Sequence, residues 1–279
     1  MDKEIKPRIW SIWLMFFIFC LLFTLNNMLS EDNATSFAWL LLEVWVLILD
    51  IIILIKHKLP SRKYACISLA LGFAVAATYL DVMIVTKSMS RIFSLIVAPV
   101  LTFLSGVVVF RIIETYPKDM LRMIYKKNLR SVLFSVIIGI TFGIVWGVLN
   151  YLLMLGNSQS NLYITVHCFL VSLSPAILEE LAMRAVFYAF CISLLHGNVT
   201  TKSQKFTCWV MMIVPQVLVH TPNAFIKGGI VSGLVSTVLY IVVFGLIFAI
   251  LQKKRDVISA MVAHGTVDFI RFCFFGLPF

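Results

Sequence analysis

The sequence Glu179-Glu180-Leu181-Ala182-Met183-Arg184 places three ionisable side chains within six residues, and apolar sequence flanks it on both sides. A charged side chain inside the hydrocarbon layer of a membrane costs about 2.5 kcal/mol or more, so it normally faces protein or water and has a function. The hexapeptide therefore indicates a functional site within an apolar chain.

Composition places that hexapeptide in a membrane. Of the 279 residues, 61% are hydrophobic and 13% charged, and the mean hydropathy is +1.00. These values exclude a soluble globular domain and predict an integral membrane protein in contact with the lipid bilayer. The net charge of +10 comes from basic residues in short loops, a pattern that orients membrane proteins, so we expect no nucleic-acid partner.

Apolar segments recur along the whole chain at a length that crosses the hydrocarbon core, about 20 residues. They lie at roughly 9–29, 36–55, 64–86, 91–113, 131–155, 161–173, 175–195, 206–221, 228–251 and 256–276. Some are short, so we predict an all-α, polytopic protein with eight to ten membrane helices. Ser174-Pro175 predicts that one helix starts at residue 175, since a hydroxyl cap followed by proline is typical of a first helical turn.

Basic loops orient these segments. The 30–35 loop has no Lys or Arg, whereas the 56–63 loop and the 111–130 connection are strongly basic, which predicts a cytoplasmic N-terminus. Five full crossings after Arg130 would put Lys253-Lys254-Arg255 outside. A re-entrant or half-crossing segment would return them to the cytoplasm, which favours a polar interior around 161–221.

A basic linker at about 115–130 divides the chain into two predicted domains. The first, 1–130, is an N-terminal four-helix membrane region that ends in this linker. The second, 131–279, is a C-terminal catalytic bundle. Lys118, Arg122, Lys126 and Arg130 recur every four residues, which predicts a short interfacial helix from Pro117 to Arg130 with a basic stripe towards anionic headgroups.

The three charges of the hexapeptide divide into two groups on an α-helix. Glu180 and Arg184 are four residues apart and share a face, so they can form an ion pair. Glu179 is offset from Glu180 by about 100° and points elsewhere. This pattern favours a neutralising pair beside a reactive carboxylate, although a buried ion-pair network that only holds helices together fits the hexapeptide equally well.

Two histidines extend the candidate site. His220 ends the apolar run that begins at Trp209, and His264 lies four residues before Asp268 on one face of the last apolar segment. With the glutamate pair they supply a base, hydrogen-bond donors and an orienting carboxylate, which are the components of an acid-base site. A lone histidine such as His167 is interpreted as a satisfied core residue.

Three motifs thus follow one another in the second half of the chain. They are Glu179-Glu180-x-x-x-Arg184, x-x-x-His220 and His264-x-x-x-Asp268. Their order and spacing resemble the CPBP (Abi) family of intramembrane proteases, which includes type II CAAX prenyl endopeptidases and bacterial bacteriocin-processing and self-immunity proteins. The resemblance covers roughly 131–279. It implies an intramembrane endopeptidase of a bacterial cell membrane, with a peptide or protein substrate that is either prenylated or a bacterial peptide.

The resemblance also implies a role for each motif residue. Glu179 would be the general base that activates a water molecule, and His220 would hold and polarise that water. His264 and Asp268 would flank the scissile carbonyl and stabilise its oxyanion. The supporting residues would be Glu180 and Arg184.

Two positions depart from the pattern of that family. Gln216 stands four residues before His220, where phenylalanine is frequent in that family. The sequence therefore leaves undecided whether the site is polar or apolar next to His220. Asp268 stands where asparagine is frequent, and an ionised carboxylate would repel an oxyanion. Asp268 could serve in its protonated form, or by orienting His264.

A metal mechanism is the alternative to a metal-free one. Glu179, His220 and His264 have the His₂Glu composition of a catalytic zinc site with an open fourth position. No HExxH motif occurs, and the resemblance to prenyl endopeptidases favours a glutamate-dependent reaction without metal. We therefore expect no cofactor, with zinc as the alternative.

Two other functional classes stay open. A non-enzymatic membrane immunity or regulatory protein could bind a peptide or a sensor partner on the same scaffold. A transporter would use the acids in apolar segments, Glu43, Asp50 and Asp81. Those acids occur singly, and Asp50 and Asp81 lie near predicted span ends, so we interpret these two as solvated or interfacial.

Overall fold

The computed structural model describes residues 9–30, 33–86, 92–155 and 160–278, and these residues form helices and turns without a strand. The α-helices are α1 (Ile9–Leu29), α2 (Ala34–Lys56), α3 (Arg62–Thr86), α4 (Ile92–Thr115), α5 (Leu129–Met154), α6 (Val166–Ser174), α7 (Val186–Leu194), α8 (Lys202–Leu218), α9 (Pro222–Tyr240), α10 (Leu246–Lys254) and α11 (Val257–Phe275). Three π-helical segments are π1 (Pro175–Glu179), π2 (Leu181–Ala185) and π3 (Ile241–Gly245). The all-α prediction is confirmed.

Within the described residues, seven helices are long and apolar enough to cross a membrane. They are Ile9–Leu29, Ala34–Lys56, Arg62–Thr86, Phe93–Thr115, Leu129–Met154, Pro222–Lys254 and Val257–Phe275. A polytopic membrane protein is therefore confirmed, whereas the count of eight to ten is not. Two further basic segments, residues 1–8 with Lys3, Lys6 and Arg8 and residues 87–91 with Lys87 and Arg91, lie outside the described residues.

One helical run replaces the two segments predicted at 161–173 and 175–195. α6, π1, π2 and α7 follow one another without a break, so the prediction that a helix starts at residue 175 is wrong. The run is capped by Thr165, whose hydroxyl accepts a hydrogen bond from the N–H of Cys168. Pro175 lies inside it, where the wider π turn begins, because proline lacks the N–H that an α-helical turn would use. The side of the membrane on which Lys253-Lys254-Arg255 lies stays a prediction.

The basic linker does not form the predicted helix. Residues 116–128 are turns and bends, and α5 begins at Leu129. The linker backbone instead pairs with the start of α11: the N–H of Val257 donates to the carbonyl of Arg122 at 2.8 Å, and the N–H of Tyr125 donates to the Asp256 carboxylate at 2.9 Å. These backbone groups are no longer available for a helix of their own.

The chain divides into two compact units, each assembled from separate segments. Unit 1 comprises 1–60, 108–121 and 183–249, and unit 2 comprises 61–107, 122–182 and 250–279. The boundary between residues 182 and 183 divides the charged hexapeptide between them. The sequence-based division into 1–130 and 131–279 stays a prediction.

In unit 2, α5 presents a buried stripe of small residues to α11. The stripe recurs every fourth residue and consists of Ser131, Ser135, Gly139, Gly143 and Gly147. A Cβ atom at Gly143 would lie 2.8 Å from the carbonyl oxygen of Ala263, and one at Gly139 equally close to that of Ser259. Only glycine lets the two backbones approach so closely, which is a common mode of helix packing in membranes. This contact fixes α11, the helix that carries His264 and Asp268.

Two of the three acids that suggested a transporter, Asp50 and Asp81, are buried rather than solvated. Asp50 is fully buried in unit 1, and Asp81 is buried in unit 2. Asp81 is 2.8 Å from Nδ1 of His167, whose side chain is 41% exposed. The prediction of a solvated or interfacial role for Asp50 and Asp81 is therefore wrong, and His167 is a partnered residue rather than a buried one.

Candidate active site

The glutamate pair lies where the helix changes its winding. Glu179 ends π1, Glu180 follows it, and Leu181 begins π2. π-Helical turns are rare and are frequently found at functional sites, because they displace side chains from the positions that a regular α-helix would impose. Both glutamates are buried, and Glu180 is 0% exposed.

Three carboxylates of unit 2 surround the imidazole of His264. Nδ1 of His264 is 2.7 Å from Oε1 of Glu180. Nε2 lies 3.5 Å from the Asp268 carboxylate and 3.9 Å from that of Glu179. Because an ionised carboxylate only accepts hydrogen bonds, Nδ1 donates to Glu180, and the Nε2 edge faces the other two acids.

Gln252 completes the surroundings of Glu180. Its Nε2 donates to Oε2 of Glu180 at 2.7 Å and to the backbone carbonyl of the same residue at 2.9 Å. Gln252 is 1% exposed, and its Oε1 has no hydrogen-bond partner among the described residues. Sequence reasoning missed this residue, since an amide directly before Lys253-Lys254 looks like an ordinary interfacial side chain.

Asp268 faces a cation as well as the imidazole. Its Oδ1 lies 4.0 Å from Nη1 of Arg271, one turn further along α11. Arg271 also was not singled out from the sequence, although its i+3 spacing from Asp268 was visible there. The arrangement places Asp268 where it can orient His264.

Unit 1 holds the second group of site residues. Arg184, 1% exposed, donates from Nη2 to Oε1 of Gln216 at 2.7 Å and lies over the ring of Phe248. Nε2 of Gln216 is 3.3 Å from Nε2 of His220. The ring of His220 itself is in contact with that of Trp39, at 5.1 Å between centroids.

The predicted residues thus fall into two groups, each brought together within its own unit. Unit 2 gathers four of them: Glu179, Glu180, His264 and Asp268. Unit 1 joins Arg184 to His220 through Gln216. The Glu180–Arg184 ion pair and the approach of His220 to Glu179 stay predictions. The spacing argument for that ion pair assumed 3.6 residues per turn, which the π segments do not have.

No arranged metal site is found among the described residues. None of them forms a group of three or more His, Cys, Asp or Glu side chains arranged to hold a metal ion. Of the proposed ligands, His264 donates its Nδ1–H to Glu180, as metal-ligating histidines also do with carboxylates, and His220 has its Nε2 next to the Gln216 amide. No step is therefore derived through a metal, and metal dependence stays a prediction for experiment.

Comparison with known proteins supports the family expected from the motifs. The family model described as Type II CAAX prenyl endopeptidase Rce1-like matches residues 161–270, a range that includes all six predicted site residues. No curated protein and no solved structure matches the chain. The match supports a membrane hydrolase that acts on a peptide or protein substrate. The resemblance to the CAAX protease family is therefore confirmed, and over residues 161–270 the chain is similar to the type II CAAX prenyl endopeptidases described as Rce1-like.

Proposed function

We propose that the protein is an intramembrane endopeptidase in which Glu179 activates the water that attacks the peptide bond. The gathering of Glu179, Glu180 and Asp268 around His264 carries this proposal. Three buried acids around one imidazole are costly to assemble in an apolar chain, so a packing role alone would not favour them. A base and a hydrogen-bond donor held side by side are what amide hydrolysis requires.

His264 supplies the donor. Glu180 holds the Nδ1–H of the ring, and Gln252 holds Glu180, so the Nε2 edge is turned towards Glu179 and Asp268. A protonated ring balances part of the surrounding negative charge and carries a second N–H on Nε2. That N–H donates to the oxyanion as it forms, and the resulting stabilisation of the oxyanion is greatest in a site of low dielectric constant.

The proton transfers then balance. The Glu179 carboxylate takes one proton from water, and the hydroxide oxygen bonds to the carbonyl carbon of the substrate. The tetrahedral intermediate collapses with cleavage of the C–N bond, and the proton on Glu179 passes to the leaving amine. The resemblance assigns polarisation of the water to His220.

Asp268 acts in this scheme through His264. Asp268 lies 3.5 Å from Nε2 of His264 and near Arg271, so its ionised carboxylate can orient the imidazolium until the forming oxyanion accepts the Nε2–H. We therefore assign Asp268 to orienting the ring rather than to direct contact with the oxyanion. The substrate is a prenylated C-terminal peptide or an unmodified bacterial peptide, in a bacterial cell membrane with the N-terminus of the enzyme in the cytoplasm.

The test is cleavage by purified protein in lipid nanodiscs of two matched peptide libraries, one farnesylated at a C-terminal cysteine and one unmodified. We expect wild-type cleavage that survives a chelator and is lost in Glu179→Gln, which keeps the side-chain shape. Glu43→Gln, at a membrane glutamate of α2, is the control and should stay active.

Retained turnover by Glu179→Gln would remove the proposed base. Loss of wild-type turnover on chelation, restored by zinc, would favour the metal alternative. A cellular phenotype that survives Glu179→Gln, His220→Ala and His264→Ala would favour the non-enzymatic immunity or regulatory protein.

A further inference from the structure

We infer that Gln216 is a positioning residue that sets which ring nitrogen of His220 carries the proton. The inference rests on the proposed function, in which His220 polarises the reacting water. It starts from a chain of two contacts within unit 1: Arg184 to Gln216 at 2.7 Å, and Gln216 to His220 at 3.3 Å.

The first contact determines which way the Gln216 amide points. The guanidinium of Arg184 has N–H donors and no acceptor, so only the carbonyl oxygen of Gln216 can face it. Both side chains are buried, Arg184 almost completely. A flipped amide would set two donors against each other in a buried place, which costs about 1–3 kcal/mol.

The second contact follows from the first. With Oε1 turned to Arg184, the Nε2 of Gln216 faces Nε2 of His220 and can only donate to it. The His220 nitrogen must then be the unprotonated acceptor, so the ring proton lies on Nδ1. Arg184 therefore determines, through the orientation of the Gln216 amide, which tautomer of His220 is favoured.

Aromatic neighbours restrict the rotation that would undo this choice. The rings of Trp39 and His220 meet at an interplanar angle of 90°, and the ring of Tyr240 lies at 21° to that of His220 with centroids 6.3 Å apart. A flip of the His220 ring would put a carbon where Nε2 now meets the Gln216 amide, so these ring contacts and that hydrogen bond favour the same orientation.

The chemistry of Gln216 is what makes it suited to this place. A packing role would be met by an apolar side chain, such as the phenylalanine that the family resemblance led us to expect. A buried amide is costly unless its oxygen and nitrogen are both used, and here Arg184 uses one and His220 the other.

The tautomer of His220 bears on the proposed reaction. If His220 polarises the reacting water, as the proposed function assumes, its Nδ1–H would be the donor to the water oxygen. Donation to that oxygen leaves a water proton for Glu179 to remove, whereas the opposite tautomer would offer a competing acceptor for that proton. Nε2 of His220, engaged by Gln216, is not the nitrogen that takes part.

The experiment is ¹⁵N NMR of histidine-labelled full-length protein in nanodiscs, with His220 assigned by its absence from His220→Phe. We expect the wild-type spectrum to show an unprotonated Nε2 and a protonated Nδ1. Gln216→Glu keeps a side-chain oxygen for Arg184 but turns the other contact from donor to acceptor. We expect it to move the proton to Nε2 and to lower kcat by about 10- to 100-fold with little change in KM.

Gln204→Glu is the matched control, because it makes the same chemical change at the start of α8. Gln204 accepts from the N–H of Thr200 and Thr201 in a capping box, where glutamate serves equally well. It should keep the wild-type ring signals and kcat.

A protonated Nε2 in wild type would overturn the inference, as would unchanged ring signals in Gln216→Glu. Inverted signals with wild-type kcat would remove the role in the reaction. The NMR result does not depend on turnover, so failure of the proposed protease function, seen as absent cleavage or an active Glu179→Gln, is distinguished from failure of this inference.

Discussion

The two units handle the charges of one hexapeptide in opposite ways. In unit 2, Glu179 and Glu180 face a histidine among acids, and Glu180 holds the ring directly. In unit 1, Arg184 reaches a histidine only through the amide of Gln216. Acceptors surround His264, whereas a donor approaches His220.

That difference implies opposite proton states for the two imidazoles. Carboxylates around His264 suit a ring with a proton on each nitrogen, which can then stabilise an oxyanion. The Gln216 N–H next to His220 suits a neutral ring with one proton in a set position. Two residues of the same type thus acquire different roles from their partners.

The largest effect is expected from removing the acid-surrounded histidine. His264→Gln takes away the ring that Glu180 orients and should lower kcat by about 10²- to 10³-fold, the loss that follows removal of an oxyanion donor. Single-turnover kinetics on the cleaved peptide measure it. His167→Gln, at the other histidine of unit 2 with a carboxylate partner, should leave kcat near wild type. Equal losses in both variants would contradict a special role for His264.

The next largest effect is expected from a substitution that disturbs the packing of α5 against α11 in unit 2. Gly143→Leu puts a side chain against the Ala263 carbonyl, where even a Cβ is too close, and overpacking of this kind costs about 1–3 kcal/mol or more. We expect a lower midpoint in thermal unfolding and lost activity. Ile144→Leu, at the neighbouring exposed position, is the control and should have the same thermal unfolding midpoint as wild type. A normal melting curve for Gly143→Leu would show that α5 and α11 are not so closely packed.

A smaller effect is expected at Gln252. Gln252→Leu leaves Glu180 without the amide that anchors its Oε2, so His264 loses its fixed orientation and kcat should fall by about 10- to 100-fold. Gln252→Asn, which keeps an amide on a shorter arm, should recover part of the loss. Wild-type kcat in Gln252→Leu would show that Glu180 does not need the Gln252 amide to orient His264.

The smallest effect is expected away from both histidines. Asp256 caps α11 by accepting from the N–H of Ser259 and also binds the N–H of Tyr125. Asp256→Ala should lower stability by about 0.5–2 kcal/mol, as loss of a helix cap does, with kcat per folded molecule unchanged. Asp256→Asn keeps the acceptor for Ser259 but sets its amide NH2 against the N–H of Tyr125, so it should recover only part of the lost thermal midpoint. A loss of kcat in the folded fraction of Asp256→Ala would instead link this end of α11 to the reaction.

Long-range partners explain what the sequence did not predict. Glu180 is 72 residues from Gln252 and 84 from His264, so no local pattern pairs them. Ser174-Pro175 predicted a helix start, but Ser174 has helical backbone angles and no side-chain cap hydrogen bond, and the helix continues through Pro175 as a π turn. The basic linker does not form the predicted helix because its backbone groups form hydrogen bonds with residues at the start of α11.

The sequence by itself determined the membrane setting, the helical class and the identity of the candidate residues. Those properties follow from the hydrophobicity of each segment and from the cost of placing a charge in an apolar one, and both are local quantities. Only the tertiary structure decided that Glu180 holds His264 and that Gln216 stands between Arg184 and His220. A buried polar group must be satisfied by whatever the fold brings within hydrogen-bond distance, and that choice is made by packing between helices rather than along one of them.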